Sequence, residues 1–129
     1  MPNAGDFFIT TLKPAHFKWG TLRHTNTRKL ISGEGYLHIP AHIARTLNIT
    51  NVNSIGNRYY SGSSSDNFLQ NCPLKTAGGK DKISKYAKNL EGNGDLKILG
   101  RWFNHINAQP GDRIEVRFTS STEILLTKL

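Results

Sequence analysis

The carboxylates and histidines that could hydrolyse a phosphodiester bond are scattered along this chain. Such hydrolysis needs clustered carboxylates around a metal ion, or a histidine beside a metal or a phosphate clamp. The most regular acidic group, Asp112, Glu115 and Glu123, lies among basic neighbours near the C-terminus. The sequence contains no P-loop, nucleophile elbow, zinc-protease motif or dinucleotide fingerprint. We therefore identify no catalytic residue and expect no cofactor; a small stand-alone nuclease is the weaker alternative.

Metal binding is also not expected from the histidine and cysteine pattern. His38 and His42 are four residues apart, but they straddle a predicted strand–proline–helix junction and so do not share one helical face. No cysteine or carboxylate is spaced to complete a tetrahedral site with them. The only cysteine, Cys72, excludes a disulfide framework. Together with the absence of a signal peptide or a long apolar run, this predicts a protein of the reducing cytoplasm with no membrane partner.

Basic residues carry the strongest functional signal, because they are gathered into two segments. The 129-residue chain has a net charge of +8. Residues 13–29 contain five basic side chains and no acid, and residues 75–88 contain five lysines and one acid, Asp81. Residues 112–129, in contrast, mix both signs of charge. Clustered cations that neutralise phosphates release condensed counterions, so this distribution favours a polyanion-binding protein over a merely soluble basic one.

Short strands dominate the elements predicted for the first half of the chain. Aromatic and β-branched residues predict strands over 7–12 and 36–39, with the basic segment between them. Pro40 suits the first position of a short helix that buries Ile43, Ala44 and Leu47. A further strand at Tyr59 and Tyr60 is expected to end at the serine- and glycine-rich residues 61–65.

The second half predicts helices as well as a C-terminal hairpin. Apolar residues at positions 83, 86, 87 and 90 indicate a helix capped at Asp81 and ended at Gly92. Residues 96–99 are interpreted as a strand and residues 101–106 as a short helix or turn that anchors Trp102 and Phe103 in the core. A Pro-Gly-Asp turn at 110–112 then precedes two strands, 113–118 and 123–127. The predicted fold is one mainly β (α+β) domain over residues 1–129, a seven-stranded open β-barrel with one or two short helices.

Four stretches of this sequence resemble the B3 DNA-binding domain. They are TLKPAH at 11–16, YLHIPAHIARTL at 36–47, LKILGRWF at 96–103 and QPGDRIEV at 109–116. Their order and rough spacing look like the family pattern over nearly the whole chain, except in the long stretch 61–77. An insert around residues 89–95 is similar to the prokaryotic branch, which comprises recognition domains of EcoRII- and BfiI-like restriction endonucleases. The Ile-Pro-helix and the Pro-Gly-Asp-strand pair also occur in dimeric transition-state regulators of the AbrB type, which are much shorter and remain an alternative.

The resemblance implies a DNA-binding pseudobarrel that grips the major groove of double-stranded DNA with two loop arms. It implies a sequence-specific recognition module whose covalently linked or associated nuclease domain carries out cleavage. The first arm would lie between Pro14 and Ile39 and use residues suited to bases or phosphates: Lys18, Trp19, Arg23, His24, Thr25, Asn26, Thr27, Arg28 and Lys29. The second arm would fall within residues 80–97 and use Lys80, Lys82, Lys85, Lys88, Asn93 and Lys97.

Each arm also has a simpler interpretation. The first segment can be a solvated basic loop, and the lysines of the second can be the polar face of a short helix. Trp19 can stack on a base or pack against the barrel. Tyr59, Tyr60 and residues 61–67 form a third, weaker candidate loop.

Overall fold

Alternation of apolar and polar residues builds seven short strands in the computed structural model, which describes residues 2–13, 35–51, 58–78 and 85–129. The strands are β1 (Phe7–Thr11), β2 (Tyr36–His38), β3 (Tyr59–Ser64), β4 (Cys72–Ala77), β5 (Asn89–Gly92), β6 (Arg113–Phe118) and β7 (Glu123–Lys128). The described residues also form two helices, α1 (Ala41–Leu47) and α2 (Ile98–His105). The predicted mainly β fold is confirmed.

The seven strands belong to one nearly closed barrel sheet, in the order β1-β6-β7-β3-β4-β5-β2. All neighbours are antiparallel except β3 and β7, which are parallel. Strands β1 and β2 are the two ends of this order, and the 14–34 segment connects them in sequence. Because every pairing lies within one chain, the described barrel needs no strand from a second copy.

The core follows the strict alternation of the strands. In β6 the side chains of Ile114, Val116 and Phe118 are buried, whereas those between them are not. Trp102 of α2 is buried within the same apolar cluster. Its Nε1 donates a hydrogen bond to the Asp66 carboxylate at 3.0 Å, which satisfies the polar atom of a buried indole. Trp102 and Phe103 are therefore core residues, as the sequence predicts.

Strand β3 continues through the serine- and glycine-rich stretch that the sequence indicated as its end. A Cβ at Gly62 would lie 2.3 Å from the Leu74 side chain, so the missing side chain leaves room for β4. Ser64 is buried, and its hydroxyl both bonds to Asp66 and accepts the Leu69 N–H. Small residues that mark turns in isolation here let two strands approach closely, so β3 ends at Ser64, near the end of the 61–65 stretch and not at its start.

Two further predictions fail in the region between the central strands and the C-terminal hairpin. The helix expected from Asp81 to Gly92 is wrong for residues 85–92, where Leu90 belongs to β5 and pairs with both Leu37 and Thr76. Residues 79–84 lie outside the described part. The strand expected at 96–99 is wrong because Ile98 and Leu99 begin α2. The helix or turn predicted at 101–106 and the hairpin after Gly111 are confirmed.

Candidate nucleic-acid interface

The two basic segments of the sequence are connections between strands. Residues 14–34 lie between β1 and β2, and residues 79–84 lie between β4 and β5. The described residues at their ends come together around His38, the last residue of β2. Lys13, which precedes residues 14–34, lines a cavity with His38. Lys88, which follows residues 79–84, lines a second cavity, also with His38.

The first cavity lies between the two ends of the sheet. It has a volume of about 420 Å³ and is lined by Ile9 and Lys13 of the β1 side and by Tyr36, His38 and Pro40 of the β2 side, among others. The outward-facing alternate residues of β1 make its wall, since Ile9 is 41% exposed while Phe8 is in the core. Among the described residues, this cavity therefore lies on the outward-facing side of β1.

The second cavity adjoins the first through His38. Its volume is about 180 Å³, and its lining includes Arg45 of α1 together with Tyr86 and Lys88. Arg45 lies in the last turn of α1, one turn beyond the Pro40 that begins the helix. The Ile-Pro-helix sequence thus places Arg45 beside this cavity. The residues before β5 supply its second cation, Lys88.

Backbone hydrogen bonds hold the residues before β5 in this position. The Lys88 N–H donates to Ala77 at 2.9 Å, and the Lys88 carbonyl accepts from Ile39 at 2.8 Å. Ala87 donates to Ile49 at 3.0 Å, beside the isolated bridge between Thr50 and Tyr86. These bonds tie Lys88 to β4, to the end of β2 and to the chain after α1, so its position does not depend on its own side chain.

Four residues with basic nitrogens, Lys13, His38, Arg45 and Lys88, line the two cavities, and together with Lys85 they form what we call the basic face. Lys85 joins them because its Nζ lies 5.4 Å from the ring centre of Tyr86, which lines the smaller cavity. No residue that lines either cavity in the described part of the chain is acidic.

The acids of the described residues are engaged elsewhere. Glu91, Asp95, Glu115 and Asp112 form ion pairs with Lys75, Arg101, Arg117 and Lys128, respectively. Within the same described residues, Arg45, Lys85 and Lys88 form no ion pair with an acid. Within the described residues, positive charge therefore gathers on the basic face, in keeping with the uneven charge of the sequence.

The pKa of His38 reflects this electrostatic environment. Burial lowers the pKa of His38, the positive charge of Lys13 lowers it further, and a hydrogen bond with the Lys88 backbone opposes both effects. The imidazole is therefore held in its neutral form more strongly than a free histidine. Burial also raises the pKa of the neighbouring Tyr36, which stays a neutral hydroxyl.

The structure describes only part of the predicted contact residues. The first-arm set lies outside the described residues, as do two lysines of the second arm: Lys18, Trp19, Arg23, His24, Thr25, Asn26, Thr27, Arg28, Lys29, Lys80 and Lys82. Lys85 and Lys88 are exposed on the basic face. Asn93 and Lys97 follow the opposite end of β5, where the Asn93 N–H donates to Pro73 and the Lys97 N–H donates to Asp95.

The sequence prediction did not include Lys13, His38 or Arg45 among the contact residues. His38 was considered only as a metal ligand with His42, and the described residues hold no group of three His, Cys, Asp or Glu that could bind a metal. Arg45 has no distinguishing signal in the sequence, since it looks like an ordinary polar position of an amphipathic helix. Only the fold, which brings α1 and the residues before β5 to one cavity, places Arg45 beside Lys88.

Tyr59, at the start of the third candidate loop, is on β3, 45% exposed and 5.5 Å from the guanidinium of Arg58. It lines neither of the two cavities.

Comparison of the chain with protein-family models, curated proteins and solved structures found no match. Neither helix in the described ranges has the length and apolar character that crossing a membrane requires.

Proposed function

We propose that this chain binds double-stranded DNA through the basic face and the two segments that leave the barrel there. The observation that carries the proposal is that described residues bordering both connections meet at His38, where Lys13, Arg45 and Lys88 line cavities whose described lining holds no acid. Cations placed in this way neutralise backbone phosphates and release counterions. Duplex DNA presents such phosphates at regular spacing along both sides of its major groove.

Two strand connections that emerge side by side suit a duplex better than a single strand. Binding of single strands usually depends on aromatic side chains interleaved with cations, on which bases stack. In the basic segments the cations far outnumber the aromatic residues. The resemblance to the B3 domain points to the same ligand, with a first arm between Pro14 and Ile39 and a second arm within residues 80–97.

Within this proposal, the first arm reads the DNA sequence. Arg23 and Arg28 are suited to paired hydrogen bonds with guanine, and Asn26 to adenine. Cleavage would be carried out by a separate nuclease domain, as in the restriction endonucleases that the sequence resembles, and this chain would supply the recognition.

Selection of bound sequences from a random pool of duplexes tests the proposal. We expect enrichment of one short site. Replacement of Arg23 or Arg28 by Ala should weaken binding to that site far more than binding to the unselected pool. Equal losses on both would show that these arginines only contact phosphates, and no retention of duplex DNA at low salt would refute the proposed function.

Two simple measurements test the alternatives. An AbrB-like regulator would elute as an obligate dimer in size-exclusion chromatography, whereas a barrel whose described strands all pair within one chain is expected to elute as a monomer. Cutting of plasmid DNA by the purified chain with Mg²⁺ would favour the stand-alone nuclease.

A further inference from the structure

The smaller cavity on the basic face combines an apolar floor with a charged rim. Ile39 and Ala87, both 2% exposed, contribute to its floor, while Arg45, Lys88 and His38 stand around it. An apolar floor gives no solvation to an ion, so an anion in this cavity would depend on the rim for its stabilisation. Arg45 offers a planar fork of donors and Lys88 a single ammonium, and both are common phosphate ligands.

We propose that Arg45, Lys88 and His38 form a subsite for one phosphate of the DNA backbone, and that His38 takes up a proton when this phosphate binds. The inference rests on the proposed function and adds to it a named contact and a dependence on pH. His38 lies at the junction of both cavities, so a phosphate held by Arg45 and Lys88 would be next to its ring.

The direction of the proton exchange follows from the charges around His38. Among the described residues, the charged groups that line its two cavities are Lys13 from the β1 side, Arg45 from α1 and Lys88 before β5, all of them cations. Tyr36 and Tyr86 are the other titratable groups of these linings. Burial and Lys13 lower the pKa of His38 in the free protein. A bound phosphate adds a negative charge next to the ring and therefore raises the pKa.

A pKa that is higher in the complex than in the free protein makes the affinity depend on pH. Affinity is highest below the lowered pKa of free His38, falls as the pH rises towards the pKa in the complex, and is constant above it. Each unit by which the phosphate raises the pKa corresponds to an affinity about tenfold higher at the acidic end than at the alkaline end.

Nuclear magnetic resonance of the His38 ring on the unmodified protein gives the most direct test. Its chemical shift is followed from about pH 5 to 8, the range in which histidines titrate, for the free chain, with duplex DNA and with inorganic phosphate. We expect the duplex to raise the pKa of His38. An unchanged or lower pKa in the complex overturns the proposal. A rise with inorganic phosphate but not with the duplex would assign the cavity to a free anion instead and would also overturn it.

Binding measurements over the same pH range provide the second test. The affinity of the wild type for duplex DNA should rise as the pH falls, and His38→Gln should remove this rise. His105→Gln is the matched control, because His105 lies on α2, stacked on Phe68, and it should keep the pH dependence of the wild type. Arg45→Gln should weaken binding and reduce the pKa change of His38. The same pH dependence in wild type and His38→Gln refutes the subsite.

Failure of this inference can be told from failure of the proposed function. A wild type that binds duplex DNA with an affinity independent of pH would refute the subsite alone. A wild type that binds no duplex at any pH would refute both.

Discussion

Replacement of two lysines on the basic face should change the salt dependence of DNA binding by a calculable amount. Lys85 and Lys88 are exposed, and neither forms an ion pair in the described residues. Each should therefore neutralise about one phosphate and release its counterions. At about 0.9 logarithmic units per phosphate, the Lys85→Gln/Lys88→Gln variant should lose about 1.8 from the slope of log affinity against log salt.

This slope converts directly into affinities. Raising the salt from about 50 to 200 mM weakens binding by a certain factor in the wild type. In the double variant this factor should be about 12 times smaller. Fluorescence anisotropy with a labelled random duplex gives both slopes, and circular dichroism checks that the variant is folded. Further cations in residues 14–34 and 79–84 make the wild-type slope steeper, but they are common to both proteins and do not affect the difference.

A charge-matched control separates the basic face from the net charge. Arg101→Gln/Arg117→Gln lowers the net charge by the same amount, but these arginines already pair with Asp95 at 2.6 Å and Glu115 at 2.7 Å. The control should keep the wild-type slope. If the control and the Lys85/Lys88 variant show the same change, the binding reflects overall charge, and the assignment of the basic face is wrong.

The remaining predictions concern stability and pH. Gly92→Ala should destabilise the fold by about 2–3 kcal/mol in denaturant titrations, because its Cβ would lie 1.9 Å from the Asp95 carbonyl oxygen; Gly94→Ala should cost less, because its Cβ meets no atom within 4 Å and only the strain of its φ of +82° remains. Asp66→Ala should cost about 1–3 kcal/mol because the buried Trp102 loses its acceptor, and a loss below about 0.5 kcal/mol would contradict this role. His38→Gln should make thermal stability less sensitive to pH between about 5 and 7. Folded His38 has a pKa below its ordinary 6.5, so the wild type loses stability as the pH falls from that value towards the lowered one.

Below that range, carboxylates determine the acid stability. Burial would raise the pKa of the Asp66 carboxyl, but hydrogen bonds from Ser64, Phe68 and Trp102 outweigh it, and the pKa lies below its ordinary 3.8. Stability from this group is present above pH 3.8 and is lost as the pH falls through the lowered pKa. The loss of stability from Asp66 begins near 3.8 and that from His38 near 6.5, so one pH series covers both.

The strands with clear alternation could be predicted from the sequence, and those between them could not. In β6, polar and apolar residues alternate without exception, and the strand was predicted within its observed bounds. In β4 the pattern is hidden, because Pro73 lies inside the strand and only Leu74 and Thr76 are buried. Its stability comes from β3 and β5 on either side, which are distant in sequence.

The failed helix has a similar cause. The spacing of Tyr86, Ala87 and Leu90 fits one face of a helix. It also fits an extended chain in which Ala87 and Leu90 are buried against different segments of the protein. Ala87 pairs with the chain after α1 and Leu90 pairs across β2 and β4. Helical periodicity over so few residues cannot distinguish these cases, and long-range pairing decided between them.

In the candidate site, the sequence indicates the charge and the fold determines the geometry. Charge clustering in the sequence indicated the class of ligand and included Lys85 and Lys88. It could not bring Arg45 to them, because the contact depends on the hydrogen bonds that fix residues 85–88 against Ile39 and Ile49. A sequence with the same charges and a different register of β2 on β5 would have the same net charge without this cavity.

The position of Lys88 bears on how the proposed second arm would bind DNA. Gly78, at a φ of +82°, lies so close to Lys88 that an added Cβ would come within 2.9 Å of the Lys88 Cβ. The Asn51 side chain also donates to the Gly78 carbonyl. The second basic segment therefore leaves and returns at two points that touch each other and are bonded to the chain after α1. Since a loop with fixed ends has fewer arrangements to lose on binding, this closure would lower the entropic cost of the DNA binding that we propose for its lysines.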